Sequence, residues 1–543
     1  MELGGLDWLV IAIYFVVIIS VAVFASIRER RSAETAEGYF LAGRHAGWWV
    51  IGASPFAANI GSEHLVGLAG AGASTGVSMG QFEIFAVPCL LLLTWFFIPF
   101  YLRNGVFTMP EFLERRFSPT ARWYLSIVSV AAYIMTKISV TIAAGGIVFE
   151  TLMGINFWYG AIAVVLITGM YTLLGGLRAV LYTDFIQIFV IIGGAALVTF
   201  IGLDKLGGWG EMRRIAGPGF MSMWKPASDP NFPWTGIVFG VPIIGIWYWC
   251  TDQFIVQRVL SAKNIDHARA GSLFGGLLKL LPLFVFVIPG VLAYCLSQKG
   301  LLVLEKPDQA LPAMVGQLLP AGLRGLVVAG LLAALTSSLA SVFNSCSTLV
   351  TLDIFRKIKP ESSQKTLVLV GRISTLVLIF LGLLWIPVMK KISSEIYQYL
   401  QSVQAYISPP VAAVFLFGIL WKRINGKGAV AALFFGFFLG MGRLILEINK
   451  DMLPPTGLIR WFVEINFLHC GILLFVLCSI VLVGVSLLTK PMSEEQLLGM
   501  TLQTPRSDQK PERGHLGLMI GVSVVIMLLV ALVWIYFSPW IEN

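Results

Sequence analysis

Ser337 and Ser338 lie side by side in an apolar stretch with no Lys, Arg, Asp or Glu between Arg324 and Asp353. Two hydroxyls at membrane depth are hard oxygen ligands. With backbone carbonyls freed from a helix ladder, they replace the water shell of a small hard cation. A second apolar segment supplies such carbonyls, because Asn59-Ile60-Gly61-Ser62 is a cluster of breakers inside it. The expected ligands are the Ser337 and Ser338 hydroxyls, the carbonyls of Ala57 and Ile60, and the Ala334 carbonyl, freed by a break in its own span. None of these five titrates, which favours Na⁺ over a proton. The competing reading is that both hydroxyls bond back to carbonyls one turn earlier, as is common in membrane helices.

A second constellation is polar without net charge. Asn59, His64, Glu83, Lys279 and Gln401 fall within apolar segments at corresponding depth. They donate to and accept from several hydroxyls at once, and Glu83 with Lys279 leaves the set near neutrality. That chemistry suits a neutral polyol. A carboxylate substrate would meet a net positive site or a helix N-terminus instead. Taken singly, each amide could join two helices, and Glu83 with Lys279 could be a structural ion pair.

Such groups need helices that cross a bilayer. The chain of 543 residues is 57% hydrophobic and only 12% charged, with mean hydropathy +0.84, too little polar surface for a soluble globule. Apolar runs predict about 14 spans, centred roughly on residues 16, 58, 90, 135, 166, 192, 246, 282, 338, 378, 407, 437, 477 and 526. Basic clusters follow the odd-numbered spans, as at Arg28-Glu29-Arg30-Arg31, Arg115-Arg116 and Lys422-Arg423. Placing those loops in the cytoplasm puts about 23 basic residues inside and about 11 outside, with both termini extracytoplasmic. The net charge of +9 is thus a topology signal, and the scatter of basic residues argues against nucleic acid as a partner. Met1-Glu2 and Asp7 stand where a leader would be basic, so the first span is expected to remain as an anchor. Six cysteines, Cys89, Cys250, Cys295, Cys346, Cys470 and Cys478, lack metal-knuckle spacing and are read as packing residues. No nucleophile, metal-ligand set or catalytic pair supports an enzyme, and no organic cofactor is expected.

The breakers recur. Span 2 carries Gly52, Pro55, Asn59, Gly61, Ser62, Glu63, His64 and Gly67, and span 7 carries Pro242 and Gly245 ahead of Tyr248-Trp249-Cys250-Thr251-Asp252-Gln253. Interrupted spans at corresponding positions, five apart, mark two inverted repeats. The expected fold is an all-α integral membrane protein with a 5+5 inverted-repeat core, one extra helix before it and three after. The expected divisions are 1–45 (extra span and cytoplasmic loop), 46–200 (first repeat), 201–233 (extracellular loop), 234–425 (second repeat) and 426–543 (extra spans). A polar linker with Pro491, Pro505 and Pro511 precedes the last span.

Four segments carry a resemblance: Gly52 to Gly67, Gly175-Gly-Leu-Arg-Ala-Val-Leu-Tyr-Thr-Asp184, Trp247-Tyr-Trp-Cys-Thr-Asp-Gln-Phe-Ile-Val-Gln-Arg258, and Tyr406-Ile-Ser-Pro-Pro-Val-Ala-Ala-Val-Phe415. They resemble the sodium/glucose cotransporters of the sodium/solute symporter family, from about residue 8 to about 490. The resemblance implies a leucine-transporter-type core, alternating access, and sodium-coupled import of a glucose- or galactose-type sugar through the cell membrane. It matches the cation ligands and the five polar residues to family positions. It further implies Tyr248 and Trp249 as pocket aromatics, Tyr248 also as an inner gate, Leu68, Phe82 and Tyr397 as an outer lid, and Asp184 on the ion's exit. Ala340 stands where two-sodium members carry a hydroxyl, so one sodium per sugar is expected. Gln404 replaces a smaller hydroxyl residue and Gly245 a polar one, which leaves another hexose or an inositol open. A monocarboxylate or sialic acid symporter, and a sugar sensor or sugar-gated ion pathway, remain alternatives. Lys137, buried by sequence, needs a partner, and Asp184 is the expectation.

Overall fold

The computed structural model describes residues 3–28, 45–61, 63–392, 396–504 and 515–539. Glu29, Arg30 and Arg31 of the first basic cluster, Ser62 of the first breaker cluster, and Pro505 and Pro511 of the linker lie outside the described residues. No strand forms among the described residues; two isolated bridges, Ala46 with Ala262 and Lys225 with Pro233, are the extent of β pairing.

Eleven helices among the described residues are long and apolar enough to cross a membrane, and Gly5–Val21 and Phe157–Gly169 are shorter apolar stretches. Helix covers the centre of every expected span. Two expected spans take another form. Helix α2 (Trp48–Asn59) has 12 residues, because the breakers after it stop the ladder. The spans expected at 166 and 192 share one helical run of 50 residues, Phe157–Leu206, about 75 Å at 1.5 Å per residue and more than twice a bilayer's apolar depth.

The elements that matter for the site follow α1 (Gly5–Arg28) and α2. A π turn, Glu63–Leu68, leads into α3 (Ala69–Thr75), and α4 is Gln81–Leu92. Then come α5 (Pro119–Met153), α6 (Phe157–Leu206), α7 (Trp234–Thr251), α8 (Gln253–Leu260), α9 (Ile265–Leu278), α10 (Ile288–Gln298), α11 (Leu323–Thr348) and α12 (Ile396–Leu420). In Leu323–Ile358, which begins with α11, 94% of the most apolar window is buried by protein, against 17% in Leu516–Tyr536. The hydroxyl-bearing helix is therefore central, and the last helix is left for lipid to cover.

Two features tie this centre together. Helices α3 and α10 approach through glycine: a Cβ on Gly290 would overlap the Ala69 carbonyl oxygen, and one on Gly72 the Val287 carbonyl. Close backbone contact of this kind replaces the hydrophobic drive that lipid cannot supply. Gly290→Ala is expected to cost about 2–3 kcal/mol through the forced separation of the helices, read as a lower Tm in detergent with the helical circular dichroism retained. At the other end, the buried Asp7 carboxylate of α1 accepts from the amides of Gly322 (2.8 Å) and Gly325 (2.9 Å), and Arg324 pairs with it at 2.6 Å. The first helix thus caps the start of α11.

Candidate functional site

The break after α2 follows from its residues. Pro55 removes one ladder donor, the ladder closes with the Ile60 amide on the Phe56 carbonyl (2.8 Å), and Ile60 leaves helical geometry at φ −76°, ψ 76°. The next described amides turn elsewhere, Gly61 to Asn59 (2.9 Å) and His64 to Gly61 (3.1 Å). The carbonyls of Ala57 and Ile60 therefore lie past the regular ladder, as expected of ligands. The second break follows the π turn Ile246–Thr251, where Asp252 is extended at φ −80°, ψ 129° and caps α8. Asn59 Nδ2 donates to Tyr248 Oη at 2.8 Å, so the two breaks meet.

Around that contact lies a cavity lined by Asn59, His64, Glu83, Tyr248, Trp249 and Gln401, with Lys137, Gly245, Phe82, Tyr397 and Gln404 also on its wall. Glu83 is its electrostatic centre. Lys279 Nζ donates to one carboxylate oxygen; His64 Nε2 is 3.1 Å from the other, and Tyr397 Oη donates to that same oxygen at 3.3 Å. Lys279 does not border the cavity itself but reaches it through Glu83, with its ammonium 5.1 Å from the Trp249 ring centre. The buried Oδ1 of Asn59 and Oε1 of Gln401 have no donor among the described residues, although such atoms are nearly always satisfied in folded proteins. The cavity holds about 50 Å³, a few waters at about 10–15 Å³ each, so a larger occupant requires it to widen.

Of the three residues expected as an outer lid, Leu68 stands apart from the other two. Phe82 and Tyr397 border the cavity and meet edge to face, 6.1 Å between ring centres, and Phe232 from the loop before α7 joins Phe82 at 6.4 Å. Leu68 is fully buried and does not border the cavity. The loop aromatic was missed because its partner is about 150 residues away, beyond any periodicity.

The hydroxyl pair is differentiated. Ser337 Oγ donates to Asp184 Oδ1, whereas the buried Ser338 Oγ has no partner among the described residues. Neither returns its proton to a carbonyl one turn earlier, which removes the competing reading for this pair. The expected break at Ala334 is a correction: α11 is continuous from Leu323 to Thr348, and its π turn comes later, at Leu349–Phe355. Thr336, not Ser337 or Ser338, bonds back, to Leu332 and Ala333. The Ala334 carbonyl therefore stays in the ladder and has only its second lone pair to offer.

Asp184 is not the partner of Lys137. It accepts from Ser54 Oγ at 2.8 Å and from Ser337, with Arg258 Nη2 4.0 Å away and Arg258 Nε on Ser54 Oγ at 3.0 Å. Lys137 instead places its ammonium 4.8 Å from the Tyr248 ring centre and 5.5 Å from that of Phe254. Ser54 and Arg258 stood inside the quoted motifs, and their pairing with Asp184 is what the sequence did not disclose. All six cysteines are buried free thiols.

A helical membrane protein whose two broken helices meet at a polar cavity is built as a secondary transporter. The sequence model of the sodium:solute symporter family matches residues 39–436. This chain belongs to that family and is a sodium-coupled solute transporter, not an enzyme. It is 39% identical over 538 residues to sodium/glucose cotransporter 1 of Oryctolagus cuniculus, covering 90% of this chain and 80% of that one. Sodium/glucose cotransporter 4 of Homo sapiens is 39% identical over 540 residues (92% and 79% covered), and sodium/myo-inositol cotransporter 2 of Bos taurus 38% over 532 (91% and 78%). Among solved structures, a substrate-bound, outward-open Na⁺-coupled sialic acid symporter shares the fold, with TM-score 0.77 and 22% identity over 90% of this chain and 99% of that one. A nucleobase-cation-symport-1 family transporter in a closed conformation follows at TM-score 0.51 and 13% identity, over 85% and 97%.

Proposed function

We propose that this protein imports a neutral sugar of the glucose and galactose type with sodium, by alternating access. The observation that carries the sugar reading is a pair of buried acceptors on the cavity wall: the amide oxygens of Asn59 and Gln401 have no donor among the described residues, while the Glu83 carboxylate is already held by Lys279, His64 and Tyr397. Hydroxyl protons satisfy the amide oxygens, and a carboxylate substrate would be repelled by them. The sodium/glucose names of the 39% identical relatives support the same reading.

The fourteen-span count, the 5+5 repeat with one helix before and three after, the domain divisions, and the extracytoplasmic termini in a cell membrane belong to this proposal. The two breaks on α2 and α7 support the repeat.

Sodium binds to the Ala57, Ile60 and Ala334 carbonyls and the two hydroxyls. Because Ser337 donates to Asp184, its lone pairs are free to face a cation, and Ser338 brings a hydroxyl with no competing partner among the described residues. A membrane potential adds about 2.3 kcal/mol per charge per 100 mV to inward binding. The ion joins α2 to α11 and steadies the break that carries Asn59. The sugar then displaces the Asn59–Tyr248 bond, with Trp249 and Tyr248 beside its ring, and Phe82 and Tyr397 close above it. When the core rocks inward, Ser337 and Ser338 part from the α2 carbonyls, and the ion leaves past Asp184. One sodium per sugar is the proposed ratio.

The test is uptake of radiolabelled D-glucose and D-galactose into proteoliposomes, with an inward sodium gradient against a potassium control at fixed potential. Accumulation above equilibrium that needs sodium is the expected result. Current or binding without accumulation would point to a sensor. Absence of any sugar effect would move the search to inositol and to carboxylates.

An inositol remains the second reading, because Gln404 lines the cavity and Gly245 faces it without a side chain. A Cβ at Gly245 would sit 2.6 Å from Cys89 Sγ, so restoring a polar residue there needs Cys89 to move. Gln404→Thr opens room with little strain. It is expected to shift the glucose-to-inositol preference by about tenfold, roughly 1.4 kcal/mol, measured as the ratio of kcat/KM values.

A further inference from the structure

We infer that Tyr133 and Lys137 are positioning residues that clamp the break of α7 and α8, and so keep the inner gate shut until both substrates are loaded. This rests on the transport reading above. Both residues stand on α5, four apart: Tyr133 immediately precedes a π turn at Ile134–Ile138, and Lys137 lies within it. A π turn inside an α-helix shifts the register of one turn and is common at functional positions. Here it lets two side chains that would otherwise simply stack reach three residues of the opposite break.

Tyr133 grips the backbone of the break. Its hydroxyl donates to Asp252 Oδ1 and accepts from the Phe254 amide at 3.1 Å. Asp252 itself accepts from that amide at 3.3 Å, so one hydroxyl holds both the capping acid and the first turn of α8. Lys137 grips the rings on either side. Its ammonium lies 4.8 Å from the centre of Tyr248, before the break, and 5.5 Å from that of Phe254, after it. A cation shared between two ring faces resists any motion that pulls the rings apart. Tyr248 is held from the other side by Asn59, and Lys137 borders the cavity. The gating ring therefore sits between the group that responds to the substrate and the clamp.

Opening of the break exposes Cys250, which is fully buried between Trp249 and Thr251 with its thiol on the Cys89 carbonyl at 3.3 Å. Its labelling by a maleimide, quantified by mass spectrometry, reads the clamp without any assumption about the sugar. In purified transporter in proteoliposomes, Lys137→Met and Tyr133→Phe are expected to raise the Cys250 labelling rate about tenfold, equivalent to about 1.4 kcal/mol of lost closure. Sugar-independent sodium flux should rise with it, and Lys137→Arg should restore both. Tyr133→Phe removes a single oxygen and keeps the ring, so it carries the test where Lys137→Met fails to fold. Wild-type labelling rates in the folded variants overturn the clamp, and so does a uniform fall in uptake with no change in labelling or sodium leak. A wild-type protein that moves no sugar would overturn the transport reading alone, because labelling still judges the clamp.

Discussion

Glu83→Gln is expected to lower sodium-driven sugar uptake at least a hundredfold while the protein still reaches the membrane. The substitution leaves the Lys279 ammonium, which donates to Glu83, buried without its counter-charge. Breaking a buried pair by removing one partner costs about 3–5 kcal/mol, and part of that cost falls on the cavity because His64 and Tyr397 lose the same acceptor. Lys279→Met should produce a loss of the same order. The double variant Glu83→Leu with Lys279→Met separates two roles. If the pair is only structural, the double variant recovers stability and transport together. If the carboxylate contacts the sugar, thermal stability returns and uptake does not. Uptake by Glu83→Gln within tenfold of wild type would remove Glu83 from the substrate site.

The second large effect is expected at Ser338. Its hydroxyl is buried and has no partner among the described residues, so Ser338→Ala removes the proposed ligand and leaves no orphan, with little change in Tm. Loss of one charge-assisted contact among five ligands is worth about 2 kcal/mol, which raises the sodium concentration for half-maximal uptake roughly thirtyfold. Ser337→Ala differs, because it also removes a donor from Asp184, which Ser54 and Arg258 attend. It should therefore lower both sodium affinity and thermal stability. Sodium activation curves for the two variants, measured beside their melting curves, check the distinction. A Ser338→Ala protein with wild-type sodium activation would sink the ion-site assignment.

Helix breakers were the legible part of this chain. Pro55 and Asn59 to Gly61 announced an interrupted helix from composition alone, and α2 does end at Asn59. The polar set Asn59, His64, Glu83 and Gln401 was readable because polar groups in apolar spans are rare enough to be noticed, and these four line one cavity. What could not be read were choices among long-range partners. Lys137 carried no sign that two aromatic rings would hold its ammonium, because periodicity locates a side chain on a face without saying what that face meets. The same gap assigned Asp184 to Lys137 when Arg258, 74 positions from it along the chain, stands near it instead. Ala334 fails for a different reason. A break was expected there, but a run without Gly or Pro from Leu331 to Leu349 gives the ladder no cause to stop, and α11 continues.

The capping of α11 by Asp7 has a practical reach. A reporter or affinity handle grafted just ahead of α1 sits within a few residues of Gly4, whose own amide donates to Asp7 at 3.0 Å. A graft that pulls this turn away would loosen the start of the hydroxyl-bearing helix α11 some 13 residues, about 20 Å, from Ser338. The resulting protein would mimic an ion-affinity defect with every ligand intact, so fusion sites need to leave Gly4 through Asp7 undisturbed.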